Sequence, residues 1–269
     1  MIKELSKLDE VINYQSGCII RKLNQKQRKI YNLIDKYLDE YAKFHKMNVK
    51  QILNCHKSFM KRYIKDLTEF EKSFKYPYQK KNHNPKIDRV TYDIALIMSC
   101  LLLSHRFEIM YNVSNLKNYG KKTLVLGAGS GLEISLIEKK IKVYEIYDLE
   151  ISKFIKKRYK NAKIHQKIYS RDIATKYDSI LCIELLEHLK KPYDLLSLLY
   201  DSINTGGSLQ ITTAKNIPQF DHFYNFTNSS TFEKKLISFG YKIKKKEIIN
   251  HENLLSKFKP NNIYYNLTK

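Results

Sequence analysis

One stretch of the chain reads Leu124-Val125-Leu126-Gly127-Ala128-Gly129-Ser130-Gly131, a short apolar run that leads directly into three alternating glycines. The pattern predicts a β-strand, a tight turn and the start of a helix. Glycine is favoured in such a turn because a side chain would strain the backbone and keep a ligand away from it. Asp148 closes the next predicted strand, where a carboxylate can accept hydrogen bonds from both hydroxyl groups of a ribose. Together these features predict a nucleotide-like ligand; the alternative is that Asp148 is a solvated acid or a helix cap.

The spacing of the glycines narrows the kind of nucleotide. A dinucleotide fingerprint reads G-x-G-x-x-G and places a helix N-terminus under a pyrophosphate. In this chain the third glycine, Gly131, comes one residue earlier. The sequence also contains no G-x-x-x-x-G-K-[ST] segment, which argues against a phosphate-binding loop of the ATPase type.

Short apolar strands alternate with helical stretches from about residue 120 onward. The predicted strands are residues 123–126, 143–147, 179–183 and 208–212, the last preceded by a turn at 204–207. The predicted helices are residues 132–140, 151–159, 193–203 and 231–239. This alternation predicts βαβ units, that is, an α/β fold with a mostly parallel sheet and helices on both faces. Residues 242–249 and 262–267 are expected to add a terminal antiparallel pair.

The first 112 residues have a different, helical pattern. Apolar side chains recur every three or four positions in residues 27–45 and 49–70, which predicts two amphipathic helices. Residues 76–85 contain two prolines and are expected to form a loop. Residues 87–111 are predicted to form one mostly buried helix. The chain is therefore divided into a helical region, 1–112, and an α/β domain, 113–269.

The composition limits the class of protein. A chain of 269 residues with 43% hydrophobic residues can form a full core and is too apolar to be disordered. Its longest apolar run, 94–103, is about half of the roughly 20 residues that cross a bilayer. The charged N-terminus does not resemble a signal peptide, and the four cysteines form no Cys-x-x-Cys pair. These features predict a cytoplasmic protein.

The net charge of +22 raises the question of a nucleic-acid partner. Lysine outnumbers arginine about six to one, although arginine is the better ligand for phosphate. The excess of basic residues is also spread evenly along the chain. A nucleic-acid partner is therefore left open but is not favoured.

Four motifs, in this order, resemble those of class I S-adenosylmethionine-dependent methyltransferases. They are the glycine turn 127–131, Asp148, the block 177–192 and the segment Thr205-Gly206-Gly207-Ser208-Leu209. The resemblance covers residues 120–269 and implies a seven-stranded, Rossmann-like methyltransferase sheet. It also implies a set of cofactor-binding residues, namely Gly127, Ala128, Gly129 and Gly131 at the methionine part, Asp148 on the ribose and Leu149 against the adenine. One position departs from the family pattern, because Val125 stands where an acid usually contacts the amino group of the cofactor. The backbone of the turn must then supply more of that contact.

A cluster of carboxylates and a histidine follows the predicted strand 179–183. The segment reads Glu184-Leu185-Leu186-Glu187-His188 and lies at the carboxyl edge of the sheet, where open α/β sheets bind ligands. Glu184 and Glu187 are expected to share one face of a starting helix, with His188 beside them. Such a group can bind Mg²⁺, Mn²⁺ or Zn²⁺, or act as a general base.

The E-x-x-E-H block resembles two groups of methyltransferases in which it binds a divalent ion. These are the ubiquinone-pathway O-methyltransferases and the small-RNA 3′-end 2′-O-methyltransferases. The segment 221–227 resembles the part that completes such a site, which points to His222 as a further ligand. The resemblance therefore implies a metal set of Glu184, Glu187, His188 and His222. The alternative is a Glu–His pair that caps a helix near the cofactor without a metal.

The chemistry of these residues favours oxygen as the methyl acceptor. Methyl transfer from a sulfonium needs a nucleophile about 3 Å from the methyl carbon, and a hydroxyl must first be activated by a base or a cation. His188 and Glu187 are the candidate catalytic residues. No N-P-P-Y segment follows the strand, which disfavours methylation of exocyclic or amide nitrogen.

We therefore predict O-methylation of a hydroxyl group on a small molecule, sugar or natural-product intermediate. The first alternative is a metal-dependent RNA ribose 2′-O-methyltransferase. The second is a non-catalytic scaffold that only binds the cofactor. In each case residues 1–112 are expected to form a lid on the substrate side.

Overall fold

The computed structural model describes residues 1–79, 86–117, 119–171, 175–251 and 257–269. Its helices are α1 (Ile2–Leu8), α2 (Glu10–Lys22), α3 (Gln25–Phe44), α4 (Val49–Ser73), α5 (Arg89–Leu102), α6 (Ser104–Asn115), α7 (Leu132–Ile137), α8 (Lys153–Arg158), α9 (Pro192–Ser202) and α10 (Ser229–Ser238). Its strands are β1 (Lys122–Leu126), β2 (Val143–Tyr147), β3 (Lys163–His165), β4 (Tyr177–Cys182), β5 (Ile203–Lys215), β6 (Lys242–Asn250) and β7 (Asn261–Thr268). Short 3₁₀ turns are Pro77–Gln79, Glu138–Lys140 and Leu186–His188.

The seven strands form one sheet in the order β3-β2-β1-β4-β5-β7-β6. Strands β1 to β5 pair in parallel, and β7 is antiparallel to both of its neighbours, β5 and β6. The predicted α/β class, the seven-stranded sheet and the terminal antiparallel pair are therefore confirmed. In a sheet of this kind the carboxyl ends of β1, β2 and β4 meet at one edge, so that edge is where a ligand site is expected.

Helices cover both faces of the sheet. Successive side chains of a strand point to opposite faces. Leu124 and Leu126 accordingly pack in a core with residues of α9 and α10, while Val125 packs in a second core with residues of α3, α5 and α7. This second core also contains residues of α1 and α2, so the N-terminal helices share it with the sheet. Helix α6 spans the expected boundary at residue 112, and the division into 1–112 and 113–269 stays a prediction.

The prediction of one continuous helix over residues 87–111 was wrong. Leu103 is extended, with φ −120° and ψ 120°, and separates α5 from α6 at an angle of 91°. The unbroken apolar run that suggested one helix reflects burial on several sides, because α5 lies inside the core. Among the described residues no single helix is long and apolar enough to cross a membrane; α5 and α6 meet that test of length and composition only as a bent pair.

Other elements differ from the expectation in detail. Strand β3 was not predicted, because its three residues are at most partly buried and carry no apolar pattern. Strand β5 is longer than the predicted 208–212, and the expected turn appears as an irregularity, since Ile203 pairs with Tyr177 but Ser208 already pairs with Ser179. Of the expected loop 76–85, residues 80–85 lie outside the described part of the chain.

Candidate active site

The glycine turn connects β1 to α7 at the carboxyl edge of the sheet. Gly127, Gly129 and Gly131 have φ angles of +68°, +50° and +81°, a left-handed region that favours glycine. The turn is attached to the neighbouring strand, because Gly127 N–H donates to the Tyr147 carbonyl at 3.0 Å. The sequence pattern therefore corresponds to a real backbone requirement at these positions.

Side chains from other elements hold the carbonyl groups of this turn. Tyr37 of α3 donates its hydroxyl hydrogen to the Ser130 carbonyl at 2.7 Å, and Tyr159 donates to the Gly131 carbonyl at 2.6 Å. Arg89 of α5 donates to the Gly129 carbonyl and to the Glu150 carbonyl. Two of these three residues belong to the N-terminal helices, so that region shapes the turn directly.

The other expected cofactor residues lie around this turn in different environments. Asp148 follows β2; its Oδ2 accepts a hydrogen bond from Gly129 N–H at 3.2 Å, and its Oδ1 accepts one from Glu150 N–H at 3.0 Å. Asp148, Gly127 and Gly129 line one cavity of about 290 Å³. Ala128 is buried behind the turn, whereas Leu149 is 67% exposed at the surface. These roles in cofactor binding stay predictions.

The cavity extends from the glycine turn to the carboxylate–histidine segment, although not in the arrangement expected for Glu184. Glu184 lies before the 3₁₀ turn Leu186–His188, with a φ of +50°, so it does not share a helical face with Glu187. Its carboxylate forms an ion pair with Arg106 and accepts a hydrogen bond from Asn262 Nδ2 at 3.0 Å. The expectation of a common helical face was wrong, because a short 3₁₀ turn replaces the helix.

Glu187, His188 and His222 do come together. One potential ligand atom from each of them lies within 4.8 Å of the others. Glu187 is 1% exposed, and no other described residue donates a hydrogen bond to either carboxylate oxygen. Burial, together with the nearby Glu184 carboxylate, raises the pKa of Glu187 above its usual range. A buried carboxylate in this state needs either a proton or a cation.

The two histidines of this group are oriented by backbone carbonyl groups. Nδ1 of His222 lies 2.7 Å from the Ile217 carbonyl oxygen, and Nδ1 of His188 lies 3.1 Å from that of Asp221. A carbonyl only accepts, so each Nδ1 carries a hydrogen and each Nε2 of the neutral ring presents a lone pair. Burial, followed by the effect of His188, lowers the pKa of His222 to about 4. Burial opposes the charge on His188 as well, but the Asp221 and Glu187 carboxylates outweigh it and raise the pKa of His188.

Several residues of this cavity were not predicted from the sequence. Asp221 contacts His188, with Oδ2 3.4 Å from Nδ1, and is itself held by the Tyr92 hydroxyl at 2.8 Å. Its position directly before His222 is a signal that could have been used. Arg106 gave no such signal, since only the bend before α6 directs it to Glu184. The rings of His105 and His251 stack at 3.5 Å and line the same cavity.

The helices of the N-terminal region form one wall of the cavity. Met60 and Tyr63 of α4, Tyr92 and Leu96 of α5 and Arg106 of α6 all line it. On the opposite side lie the residues of the glycine turn and of the segment after β4. A molecule in this cavity would therefore contact these helices, and the role of residues 1–112 as a lid stays a prediction.

The comparisons with known proteins agree with this geometry. Residues 104–242, just over half of the chain, match the family model of a methyltransferase domain. The chain belongs to the class I S-adenosylmethionine-dependent methyltransferases. The predicted enzyme class is thereby confirmed, and S-adenosylmethionine is its cofactor.

Two solved structures resemble this methyltransferase in fold. The first is the N-methyltransferase NodS from Bradyrhizobium japonicum WM9 in complex with S-adenosyl-L-homocysteine, with a TM-score of 0.51 and 13% identity over 62% of this chain and 88% of that chain. The second is an O-methyltransferase family protein from Burkholderia thailandensis, with a TM-score of 0.53 and 12% identity over 78% of this chain and 69% of that chain. No curated protein is significantly similar in sequence. At these identities the likeness establishes the fold alone.

Proposed function

We propose that this methyltransferase methylates a hydroxyl group of a small molecule or sugar, and that Glu187, His188 and His222 activate that hydroxyl. The observation that carries the proposal is the Glu187 carboxylate, which is buried beside the two histidines and receives no hydrogen bond from any other residue that the structure describes. Leaving such a group without a proton or a cation costs several kcal/mol. The Glu187 carboxylate therefore needs a proton or a cation beside it, and a cation at this position could activate an oxygen nucleophile.

The chemistry of the three side chains fits a divalent cation. One carboxylate and two Nε2 lone pairs form a donor set that suits Zn²⁺, Mn²⁺ or Mg²⁺ with open positions. The Nδ1–H groups that donate to the Ile217 and Asp221 carbonyls are the kind of outer contact that orients ligating histidines. When bound, the cation would lower the pKa of a coordinated hydroxyl. The expected fourth ligand, Glu184, is engaged by Arg106 and Asn262, so the proposed metal set is Glu187, His188 and His222.

The protein's own residues supply orientation and proton transfer. With the cation bound, Nε2 of His188 is a ligand; without it, the same atom can instead accept the hydroxyl proton, and Asp221 would stabilise the resulting imidazolium. Tyr92 fixes Asp221 in turn. The side chains of α4 and α5 that line the cavity exclude water from the methyl group.

The charges around the cavity favour an acceptor without phosphate groups. The described lining carries five carboxylates against two guanidinium groups, namely Glu133, Asp148, Glu184, Glu187 and Asp221 against Arg89 and Arg106. Those carboxylates that stay ionised, Asp221 among them, would repel an RNA phosphate, whereas they would not repel a neutral hydroxyl compound. The RNA ribose alternative therefore rests on the basic exterior and on the resemblance of the E-x-x-E-H block to the small-RNA 3′-end 2′-O-methyltransferases.

Metal titration with a separate activity readout tests the proposal. We expect the chelated protein to bind Mn²⁺ in calorimetry, and Glu187→Gln and His222→Asn to lose that binding while cofactor affinity changes little. The matched control is Glu138→Gln, a carboxylate that pairs with Arg158 outside the cavity and is expected to leave metal binding unchanged. The rate of methyl transfer to small hydroxyl compounds, tested in pools, should fall by orders of magnitude when the metal is chelated and recover when metal is added.

Two results would contradict parts of this proposal. Full activity in the presence of chelator, with activity lost only in His188→Ala, would show that His188 acts as a base and that no metal is needed. Methylation of RNA with an affinity that falls steeply with salt, but of no small hydroxyl compound, would establish the RNA alternative.

A further inference from the structure

An acidic side chain beside the glycine turn lacks a counter-ion of its own. Glu133 is the second residue of α7, which starts directly after Gly131, and it lines the same cavity as Gly127 and Gly129. Its carboxylate accepts a hydrogen bond from its own backbone N–H. Within the described part of the chain, no other side chain forms an ion pair or a hydrogen bond with it.

The charged groups that face Glu133 do not neutralise it. They are Arg106 from α6, Glu184 from the turn after β4 and Asp93 from α5. Arg106 pairs with Glu184, and the guanidinium of Arg89 lies 2.9 Å from Asp93, so both guanidinium groups of this cavity are already engaged. Burial, reinforced by the two neighbouring carboxylates, raises the pKa of Glu133 to about 7. The site is therefore suited to an incoming cation.

The acid that Val125 replaces in the glycine motif suggests a role for the Glu133 carboxylate. Val125 is 3% exposed and packs in the apolar core on the side of α3, α5 and α7, so it offers nothing to a polar ligand. Glu133 follows the glycine turn, whereas Val125 precedes it. Glu133 lines the cavity, and the buried Val125 does not.

We propose that Glu133 binds the α-ammonium group of the methionine part of S-adenosylmethionine. The inference rests on the assignment of this cofactor and names the residue that takes over from the absent acid. An ammonium group carries three donors and a positive charge, which suits a partly buried carboxylate that has no counter-ion within the described part of the chain. The competing explanation is that Glu133 merely stabilises the first turn of α7.

Two ligands that differ in their amino-acid part separate these explanations. S-adenosylhomocysteine carries the ammonium group, while 5′-methylthioadenosine has the same adenosine and thioether without it. We expect Glu133→Gln to weaken the calorimetric affinity for S-adenosylhomocysteine by about 10- to 100-fold. Its affinity for 5′-methylthioadenosine should stay within about twofold. The control Glu138→Gln, at the end of the same helical segment, should change neither affinity.

Proton release gives a second readout that a purely structural role would not produce. The ammonium group stabilises the ionised carboxylate, so S-adenosylhomocysteine binding near pH 7 should expel protons from the native protein and fewer from Glu133→Gln. Circular dichroism checks the fold of the variant, and Glu133→Asp, which keeps the charge, should lose less affinity. An equal loss for both ligands, or none for either, would overturn the role of Glu133. Failure of the native protein to bind S-adenosylhomocysteine would instead overturn the cofactor assignment.

Discussion

Gly129 and Glu184 both have a left-handed backbone, but only Glu184 has to be held in it. Gly129 takes a φ of +50° without a side-chain penalty, whereas Glu184 pays about 1–2 kcal/mol for the same φ. Its N–H donates to Thr212 Oγ1 at 2.6 Å, and its carboxylate binds Arg106 and Asn262. These contacts offset the strain and fix the direction in which the chain leaves β4. The residues after Glu184 thereby reach His222.

The conformation of Gly129 leads to a prediction with an internal control. A Cβ at this position would meet only Leu96 Cδ1 at 3.6 Å, so a methyl group fits and the cost is conformational. We expect Gly129→Ala to lower the free energy of unfolding by about 1 kcal/mol and to weaken S-adenosylhomocysteine binding. Gly17→Ala adds the same methyl group within α2, where nothing lies within 4 Å, and should raise stability by about 0.5–1 kcal/mol. Equal effects of both substitutions on binding in calorimetry would argue against a special backbone at Gly129.

At the scale of elements, α3 acts on the glycine turn through one hydroxyl group. Tyr37 donates to the Ser130 carbonyl at 2.7 Å, while Tyr31, on the same helix, donates to the Leu101 carbonyl at 3.1 Å, away from the turn. We expect Tyr37→Phe and Tyr31→Phe each to cost about 1 kcal/mol in denaturant unfolding. Only Tyr37→Phe should reduce cofactor affinity, because it alone frees the turn. A matching loss of affinity in Tyr31→Phe would show that general destabilisation is the cause.

A second element-scale prediction concerns the joining of three strands by Asp178. Its Oδ2 accepts hydrogen bonds from Lys121 and Lys122 N–H at 2.7 and 3.0 Å, and its Oδ1 accepts one from Asn204 at 2.8 Å. The bond from Lys122, followed by that from Asn204, lowers the pKa of Asp178, so its contribution is present above the ordinary pKa and is lost as pH falls.

The test of this contribution is a pair of denaturation curves. We expect Asp178→Asn to cost about 1 kcal/mol at pH 7 and less below about pH 4, where the native side chain is protonated as well. Asp201→Asn, at an exposed surface pair with Arg171, should cost little at either pH. A loss of stability in Asp178→Asn that is the same at both pH values would contradict this contribution of the ionised Asp178 carboxylate.

The individual elements also show which parts of the fold could be predicted from the sequence. Strands β1, β2 and β4 were predictable because each is short, mostly buried and rich in apolar or aromatic residues. The break at Leu103 was not, since neither proline nor glycine marks it and tertiary packing alone turns the chain. The grouping of Glu187, His188 and His222 was implied by the resemblance of the E-x-x-E-H block and of segment 221–227 to metal-binding methyltransferases. The ion pair of Glu184 with Arg106 could not be predicted, because it depends on the bend at Leu103.

At the scale of the whole molecule, the exterior and the cavity differ in charge. The chain carries a net charge of +22, yet carboxylates outnumber guanidinium groups in the described lining of the cavity. A basic exterior attracts anions without selecting among them, whereas ionised carboxylates that line a cavity disfavour anions inside it. Net charge alone is thus a poor guide to the acceptor, which is why composition left the nucleic-acid question open.

The shared core leads to a prediction about folding as a unit. Side chains of α1, α2, α3, α5 and α6 pack in the same core as β1, β2 and α7, so removal of the N-terminal helices would expose one face of the sheet. We therefore expect calorimetry to show one unfolding transition, with equal calorimetric and van't Hoff enthalpies. S-adenosylhomocysteine at a hundredfold excess over its Kd should raise stability by about 2.7 kcal/mol and shift that transition as a whole. Ile34 of α3 and Leu196 of α9 lie on opposite faces of the sheet. Ile34→Ala and Leu196→Ala should each lower the stability by about 2–5 kcal/mol, and both should lower the Tm of the same single transition. Two transitions, of which only one moves with the ligand, would show instead that residues 1–112 form a separate folding unit.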